Sequence, residues 1–195
     1  MDAFQSLRDL KFDCAVAIVN PADDVATFGN PTTVYEWASV TKLVSTWAML
    51  VAVSEGKVSL DDEVGPPNST LRHLLAHAAG YAFDGGSIIG TVGSKRIYSN
   101  YGIEVAAEHV AKKVKEPFAD YTRRVVLEPL AMDTCDFYGS PAHGMKGGAV
   151  DLAQFCRAVM NGLLVDPAVV EEATQPVFPE LDGVVPGYGR QSPNT

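Results

Sequence analysis

One apolar stretch, residues 38–53, constrains the fold of this chain more than any other part of its sequence. Its apolar side chains recur on nearly every side of a helix and leave little polar face: Val40, Leu43, Val44, Trp47, Met49, Leu50, Val51 and Val53. Such a pattern predicts a helix that is buried on most sides, not an amphipathic surface helix. The remaining elements are therefore expected to pack around it.

Two polar residues stand at the beginning of this helix. Ser39, at its start, is expected to cap free backbone N–H groups with its hydroxyl. Lys42 follows three residues later, so both side chains lie on one helical face. Burial disfavours the charged form of a lysine, and a neutral amine beside a hydroxyl is a general base beside a nucleophile. The pair therefore predicts a nucleophilic site.

The same spacing occurs a second time, at Ser54 and Lys57. Ser-x-x-Lys arises by chance on the order of once in a chain of this length, so spacing alone proves little. The second copy straddles Gly56, which is typical of a helix end, and runs into the acidic residues 61–63. It is interpreted as a solvated helix end, whereas the first copy heads an apolar helix.

Size and charge narrow the class of protein. The chain has 195 residues, of which 47% are apolar and 20% charged, and this composition predicts one compact domain spanning residues 1–195. A net charge of −9 argues against nucleic acid and anionic membranes as partners. The longest apolar run, residues 47–53, is far below the roughly 20 residues that a membrane span requires.

Cysteine usage and the first residues bear on the compartment. Cys14, Cys135 and Cys156 are odd in number, and none forms a Cys-x-x-Cys pair. Residues 1–13 carry acidic side chains and no long apolar core, so they do not resemble a secretory signal. We therefore expect reduced thiols in a cytoplasmic protein.

The pattern predicts one hairpin and about six helices. Apolar, β-branched residues at 14–19 and 25–28 flank a turn that contains Asp23 and Asp24, which predicts a β-hairpin. Residues 34–37 are expected to be extended. The six helices are predicted over residues 39–55, 70–78, 101–115, 117–127, 151–160 and from Pro167 on, and a short leading helix is expected at residues 2–10. Residues 81–97, 129–140 and those from Gln175 onward are expected to lack regular structure.

Two histidines stand four residues apart on the predicted helix 70–78. His73 and His77 have the spacing of a zinc-binding pair. However, no Glu follows His73, and the sequence offers no evident third ligand. We interpret both as ordinary hydrogen-bonded histidines and predict no metal site.

Several motifs then occur in a specific order: Ser39-x-x-Lys42, the segment 71–80, Tyr98-x-Asn100, and the segments 128–132 and 151–155. Together they resemble the serine β-lactamase and penicillin-binding-protein-like superfamily. The class C and esterase branch, known as β-lactamase-related serine hydrolases, is the most similar. The likeness extends from about residue 13 to the end.

The resemblance implies a mixed α/β (α+β) fold, in which helices flank an antiparallel sheet beside an all-helical region. It implies that Ser39 is acylated, with its backbone N–H in the oxyanion hole, that Lys42 is the proton acceptor or the orienting partner of Ser39, and that Tyr98 shuttles protons. Asn100 would hold Lys42 and contact the substrate. The implied reaction is hydrolysis of a small-molecule ester or amide without a cofactor. A β-lactam, a D-alanyl peptide and a simple ester all remain open.

The chain also departs from the family pattern. Ala79 replaces a usual Ser or Thr, and no Lys- or His-x-Gly motif follows on a C-terminal strand; His143, Lys146 and Arg190 give no good match. The resemblance thus implies a C-terminally shortened domain that lacks the last strands and one oxyanion donor. An unpaired sheet edge would favour self-association.

Two alternatives to an active hydrolase remain. One is a catalytically crippled fragment, or pseudoenzyme, that keeps the binding cleft. The other is a helical interaction module in which Ser39 only caps its helix.

Overall fold

The predicted apolar helix lies at the centre of the molecule. The computed structural model describes residues 4–22, 25–185 and 189–191. In it, the helix is α1, Thr41–Ser54, which follows a 3₁₀ turn at Ala38–Val40. Ten of its 14 residues are buried. The expectation of a helix buried on most sides is confirmed.

The described residues contain five further α-helices. They are α2 (Leu71–Leu75), α3 (Asn100–Val114), α4 (Phe118–Thr122), α5 (Ala149–Met160) and α6 (Pro167–Ala173), and a π-helical turn, Arg123–Leu127, continues α4. A short 3₁₀ turn, Gln5–Leu7, stands where the leading helix is predicted. The helix α1 packs against α3, α4, α6 and the π-helical turn. One apolar core therefore joins these helices.

The strands of the described residues form three small sheets. The predicted hairpin is confirmed: β1 (Val16–Val19) pairs antiparallel with β2 (Val25–Phe28), while Asp23 and Asp24 of its turn lie outside the described residues. The second sheet is antiparallel, in the order β3 (Tyr35–Glu36), β6 (Met145–Gly147), β5 (Asp136–Phe137). In the third, β4 (Arg96–Ile97) pairs parallel with β7 (Gly183–Val185), which pairs antiparallel with β8 (Gly189–Gln191).

The prediction of no regular structure after Gln175 is wrong, because β7 and β8 lie there. Their pairing partner, β4, is distant in sequence, and the Pro- and Gly-rich composition hides it. The same reason applies to β4 and β5, which lie within the segments 81–97 and 129–140. Residues 186–188 and 192–195 of the predicted C-terminal loop lie outside the described residues.

The second helix is shorter than predicted. It ends at Leu75, and His77, with a φ of 57°, has left the helix. Gly80 has a φ of 86°, and a Cβ there would lie 2.1 Å from the carbonyl oxygen of Gly90. Only glycine fits that approach, which directs the chain from α2 into the loop before Tyr98.

Within the described residues, no helix is both long and apolar enough to cross a membrane.

Candidate active site

The backbone is strained where the chain enters α1. Ala38 has a φ of 45°, in the left-handed region that residues with a Cβ seldom adopt. It is followed by Ser39, which is exposed. The prediction that Ser39 caps the helix is wrong, because α1 begins at Thr41 and the hydroxyl of Ser39 makes no capping hydrogen bond. The side chain of Ser39 instead contacts Lys42.

Lys42 is buried, with 6% of its surface exposed, and its Nζ has three oxygen neighbours. They are Ser39 Oγ at 3.1 Å, Asn100 Oδ1 at 2.6 Å and the carbonyl oxygen of Ala142 at 2.9 Å. Amide oxygens only accept hydrogen bonds, so Asn100 and Ala142 each take one N–H of the amine. The third position around Nζ faces the hydroxyl of Ser39. In a neutral amine, this position is the lone pair that can accept the proton of that hydroxyl.

Asp84 determines which way the amide of Asn100 points. The Nδ2 group of Asn100 donates to Asp84 Oδ1 at 3.0 Å, and a carboxylate cannot donate in return. The amide oxygen must therefore face Lys42. The sequence reasoning did not identify Asp84. The available signal was that Asp84 is the one charged residue between Tyr81 and Ser94, in the loop before Tyr98.

Asn100 is the first residue of α3, not its cap. Ser99 caps α3: its Oγ accepts from the N–H of Gly102 at 3.0 Å and donates to the carbonyl of Ala82 at 2.6 Å. The helix begins one residue earlier than predicted. The side chain of Asn100 is thereby left to contact Lys42 and Asp84.

The segment 140–145 supplies the third partner of Lys42 and is fixed by the polar face of α1. Ser45 Oγ donates to the carbonyl of Pro141 at 2.7 Å, and Thr41 Oγ1 accepts from the N–H of Met145 at 3.0 Å. The segment thus places the carbonyl of Ala142 beside Lys42. Because this partner is a backbone atom, no pattern of side chains in the sequence could have indicated it.

Tyr98 lies against Lys42 through its ring. The Nζ of Lys42 is 4.6 Å from the centroid of the ring, within the range of a cation–π contact. The ring of His77 is 4.7 Å from that of Tyr98 between centroids, and Phe83 stacks at 6.0 Å. The structure therefore brings together the four residues that the sequence singled out: Ser39, Lys42, Tyr98 and Asn100.

His77 is held as a neutral ring behind Tyr98. Its Nδ1 accepts the backbone N–H of Ser99 at 3.2 Å, which leaves the hydrogen of the neutral ring on Nε2. Burial, together with the nearby positive charges of Lys42 and Arg96, lowers the pKa of His77 to about 4. The ring therefore adds no positive charge beside Lys42 at neutral pH.

The two histidines do not face one another across a helix. His73 Nδ1 lies 2.9 Å from Thr70 Oγ1, and its ring stacks on Phe178 at 4.8 Å. No group of three or more His, Cys, Asp or Glu side chains that could hold a metal ion occurs in the described part of the chain.

A cleft of about 950 Å³ opens at Ser39. Ser39, Lys42, His77 and Tyr98 line one part of it. The rest of the wall is mostly apolar and comes from β1, α1 and α5: Val19, Leu43, Trp47, Leu50, Phe155, Val159 and Met160. The exposed hydroxyl and its buried amine neighbour thus face a space large enough for an organic substrate.

The second Ser-x-x-Lys copy forms no such site. Ser54 Oγ donates to the carbonyl of Leu50 at 3.0 Å and accepts the N–H of Asp166 at 2.9 Å. Lys57 is exposed beyond the end of the helix. Its interpretation as a helix end is confirmed.

The chain is similar to known proteins over most of its length. The family model described as Beta-lactamase matches residues 15–191. The chain is 42% identical to a beta-lactamase from Mycobacterium bovis, with a TM-score of 0.89 over 92% of this chain and 67% of that protein. The comparison with curated proteins gave no match.

More distant structures share the fold alone. An octameric penicillin-binding protein homologue from Pyrococcus abyssi is 18% identical, with a TM-score of 0.71 over 83% of this chain and 55% of that one. A D-amino acid amidase from Ochrobactrum anthropi is 17% identical, with a TM-score of 0.74 over 81% and 67%. This chain thus spans little more than half of the first protein and about two thirds of the second.

Proposed function

Because the chain belongs to the beta-lactamase family, we propose that it hydrolyses an ester or amide through an acyl-enzyme on Ser39. One observation carries the proposal. The amine of Lys42 donates to two acceptors, Asn100 Oδ1 and the carbonyl of Ala142, and its third position faces Ser39 Oγ at 3.1 Å. An activated nucleophile needs such a base within hydrogen-bond reach.

In the first half of the proposed reaction, Ser39 Oγ attacks the acyl carbon while its proton passes to Nζ of Lys42. The bond from the acyl carbon to the leaving oxygen or nitrogen then breaks, and the leaving group takes up that proton. In the second half, water attacks the acyl-enzyme, gives a proton to the same base, and releases the acid. The hydroxyl of Ser39 is restored when the proton returns to it.

Tyr98 and Asn100 have distinct proposed roles. Tyr98 lies against Lys42, 4.6 Å from Nζ to the ring centroid, and we propose that its hydroxyl carries the proton between the amine and the leaving group. Asn100 holds Lys42 and contacts the substrate, and Asp84 orients Asn100 by accepting from its amide. Asp84 thus acts through Asn100 and does not touch the substrate.

The backbone N–H of Ser39 is the proposed donor to the oxyanion. The first N–H groups of a helix lack intrahelical partners, and Ser39 lies in the turn that leads into α1. Donors that are fixed before the reaction stabilise the developing charge without reorganisation. The strained backbone at Ala38 is the local cost of presenting Ser39 in this position.

A fluorophosphonate probe tests the proposal directly. Labelling of the intact chain, followed by mass spectrometry of its peptides, should place the adduct on Ser39. The variant Ser54→Ala should label at the same rate, while Ser39→Ala should not label. A folded chain that stays unlabelled would favour the crippled fragment that keeps only its cleft. A label on Ser54 would contradict the assignment.

The names of the relatives support an amide as one of the two proposed substrate classes. A beta-lactamase and a D-amino acid amidase both act on amide bonds, and we carry over only that class. The octameric state named for the Pyrococcus homologue supports the expectation that this chain self-associates. Sedimentation velocity over a range of protein concentrations measures that state.

A further inference from the structure

We propose that Glu104 of α3 is a positioning residue of the Ser39 site. Through the hydroxyl of Ser140, it fixes the peptide that presents the carbonyl of Ala142 to Lys42. The proposal rests on the proposed function, because the position of Lys42 matters to the reaction only if its amine is the base for Ser39. Glu104 acts through Ser140 and Ala142, so it is not itself a catalytic residue.

The hydroxyl of Ser140 has two partners that determine its direction. Its Oγ donates to Glu104 Oε1 at 2.5 Å and accepts the backbone N–H of Ala142 at 3.0 Å. A distance of 2.5 Å is typical of a hydroxyl bonded to an ionised carboxylate, and such a bond is about twice as strong as one between neutral groups. An ionised carboxylate only accepts, so the hydrogen points to Glu104 and a lone pair is left for Ala142. Glu104 therefore holds the hydroxyl in the orientation that this N–H requires.

The peptide unit between Pro141 and Ala142 is held at both of its polar atoms. Its N–H, that of Ala142, donates to Ser140, and its carbonyl, that of Pro141, accepts from Ser45 Oγ at 2.7 Å. A peptide unit is planar, so two bonds on opposite sides fix its rotation. The carbonyl of Ala142 follows directly after this unit and lies 2.9 Å from Nζ of Lys42. Its direction toward the amine therefore depends on both bonds.

One face of α3 determines both acceptors of the amine. Asn100 and Glu104 are four residues apart on α3, so they lie on the same face, one turn from each other. Asn100 accepts from Lys42 directly at 2.6 Å, whereas Glu104 positions the second acceptor, the carbonyl of Ala142. With two N–H groups of the amine directed in this way, its third position faces Ser39.

The loss of Glu104 should therefore impair the base without removing a contact to the substrate. The hydroxyl of Ser140 would rotate freely, and the N–H of Ala142 would lose an acceptor in a fixed position. The carbonyl of Ala142 could then turn away from Lys42, which would leave the amine an N–H to direct at Ser39. An amine that donates to this hydroxyl cannot accept its proton.

The experiment measures acylation by nitrophenyl acetate in single-turnover mode over a range of concentrations, which separates the maximal rate from the half-saturating concentration. The variants are Glu104→Ala, Glu104→Gln, Ser140→Ala and the double variant Glu104→Ala/Ser140→Ala, and urea unfolding shows whether each is folded. The matched control is Glu108→Ala on the same helix, where an exposed carboxylate pairs with Lys112 at 2.7 Å.

We expect Glu104→Ala and Ser140→Ala each to lower the maximal acylation rate about tenfold, the effect of one charge-assisted hydrogen bond, at an unchanged half-saturating concentration. The double variant should be no slower than either single variant, because both remove the same link. Glu104→Gln should recover most of the rate, since its amide oxygen can accept from Ser140. Glu108→Ala should leave the rate unchanged.

Several results would overturn the role of Glu104 even if Ser39 of the unmodified chain takes the fluorophosphonate label. They are an unchanged maximal rate in a folded Glu104→Ala or Ser140→Ala variant, additive losses in the double variant, an equal loss in Glu104→Gln, and a change in the half-saturating concentration alone. If Glu104→Ala does not fold, Glu104→Asp takes its place, because its carboxylate is one methylene too short to reach Ser140. Absence of the label from the unmodified chain would instead overturn the proposed function.

Discussion

The two ends of α1 carry the same Ser-x-x-Lys spacing in opposite surroundings. At the head, Ser39 Oγ lies 3.1 Å from Nζ of Lys42, which is buried. At the tail, Ser54 bonds to the carbonyl of Leu50 and the N–H of Asp166, while Lys57 is exposed. The same four-residue pattern therefore forms a reactive pair at one end and an ordinary helix terminus at the other.

Two structural differences separate the ends. The helix ends at Ser54, and Gly56 then adopts a φ of 65°, so Lys57 no longer follows the helical turn that would place it beside the serine. At the head, Asn100 from α3 and the carbonyl of Ala142 receive the amine. Spacing brings a hydroxyl and an amine near each other only where the helix continues, and partners from elsewhere in the fold then fix them.

Replacing each of the two serines by alanine should give the largest difference between the two ends of α1. Ser39→Ala should lower ester hydrolysis by about 10⁴-fold or more, because the loss of a nucleophile removes the covalent route. Ser54→Ala should keep activity within about twofold and lower the free energy of unfolding by about 1 kcal/mol, since it removes hydrogen bonds to Leu50 and Asp166. Steady-state rates and urea unfolding measure both. Equal loss of activity in two folded variants would contradict the assignment of Ser39.

Replacing each of the two lysines by methionine is expected to give the next largest difference between the two ends of α1. Lys42→Met keeps an unbranched side chain, one heavy atom shorter, but removes the base, and the acylation rate should fall by about 10²–10⁴-fold. Lys57→Met is the matched control and should change neither rate nor stability, because Lys57 is exposed. Single-turnover acylation with a chromogenic ester gives the rate. An unchanged rate in a folded Lys42→Met variant would remove this amine from the mechanism.

Because of His77, near the head of α1, the stability of the folded protein should depend on pH. Its pKa falls from about 6.5 in the unfolded chain to about 4 in the folded protein, so the unfolded chain takes up its proton first as the pH falls. The contribution of His77 to stability is fully present above pH 6.5 and is lost as the pH approaches 4. The expected loss is about 3 kcal/mol.

The variant His77→Asn isolates this effect. Asparagine tolerates the left-handed backbone, with a φ of 57° at this position, and its amide oxygen can replace Nδ1 as acceptor for Ser99. The free energy of unfolding, measured by urea at several pH values between about 4 and 7, should then fall less steeply toward low pH than in the unmodified chain. Identical slopes would show that His77 is not held neutral.

Asp84 should have the smallest effect of the four, because it acts through Asn100. Asp84→Ala frees the amide of Asn100 to turn its nitrogen toward Lys42, and acylation should slow by about tenfold, the equivalent of one lost charged hydrogen bond. Asp84→Asn can still accept from Asn100 and should recover most of the rate. Asp61→Ala, at an exposed ion pair with Arg72, is the control. Equal loss in both Asp84 variants would mean that Asp84 acts by some other route.

The sequence was sufficient where local patterns determine structure. The buried helix follows from apolar residues on all its sides, and the hairpin β1–β2 follows from two β-branched runs around a turn. Ser39 and Lys42 were identified from their spacing at the head of the helix, and Tyr98 and Asn100 from the resemblance to the serine β-lactamase and penicillin-binding-protein-like superfamily. The structure brings the four residues together.

Features that depend on partners distant in the chain could not be predicted. The strand β7 pairs with β4, which precedes it by more than 80 residues, and no local pattern in a Pro- and Gly-rich segment indicates this pairing. The carbonyl of Ala142 carries no side-chain information. The capping prediction for Ser39 was wrong because a strained turn at Ala38 delays the helix to Thr41, and that strain depends on the surrounding packing.

The hydrogen bonds between α1 and the segment 140–145 also have a consequence for the order of folding. Thr41, Lys42 and Ser45 bond to residues that follow them by 104, 100 and 96 positions. Contacts of such long range close late, because a large loop must lose its entropy before they form. A chain emerging from the ribosome holds Ser39 and Lys42 long before the carbonyl of Ala142 exists. Covalent labelling of ribosome-bound chains of increasing length should therefore remain absent until this segment has left the exit tunnel.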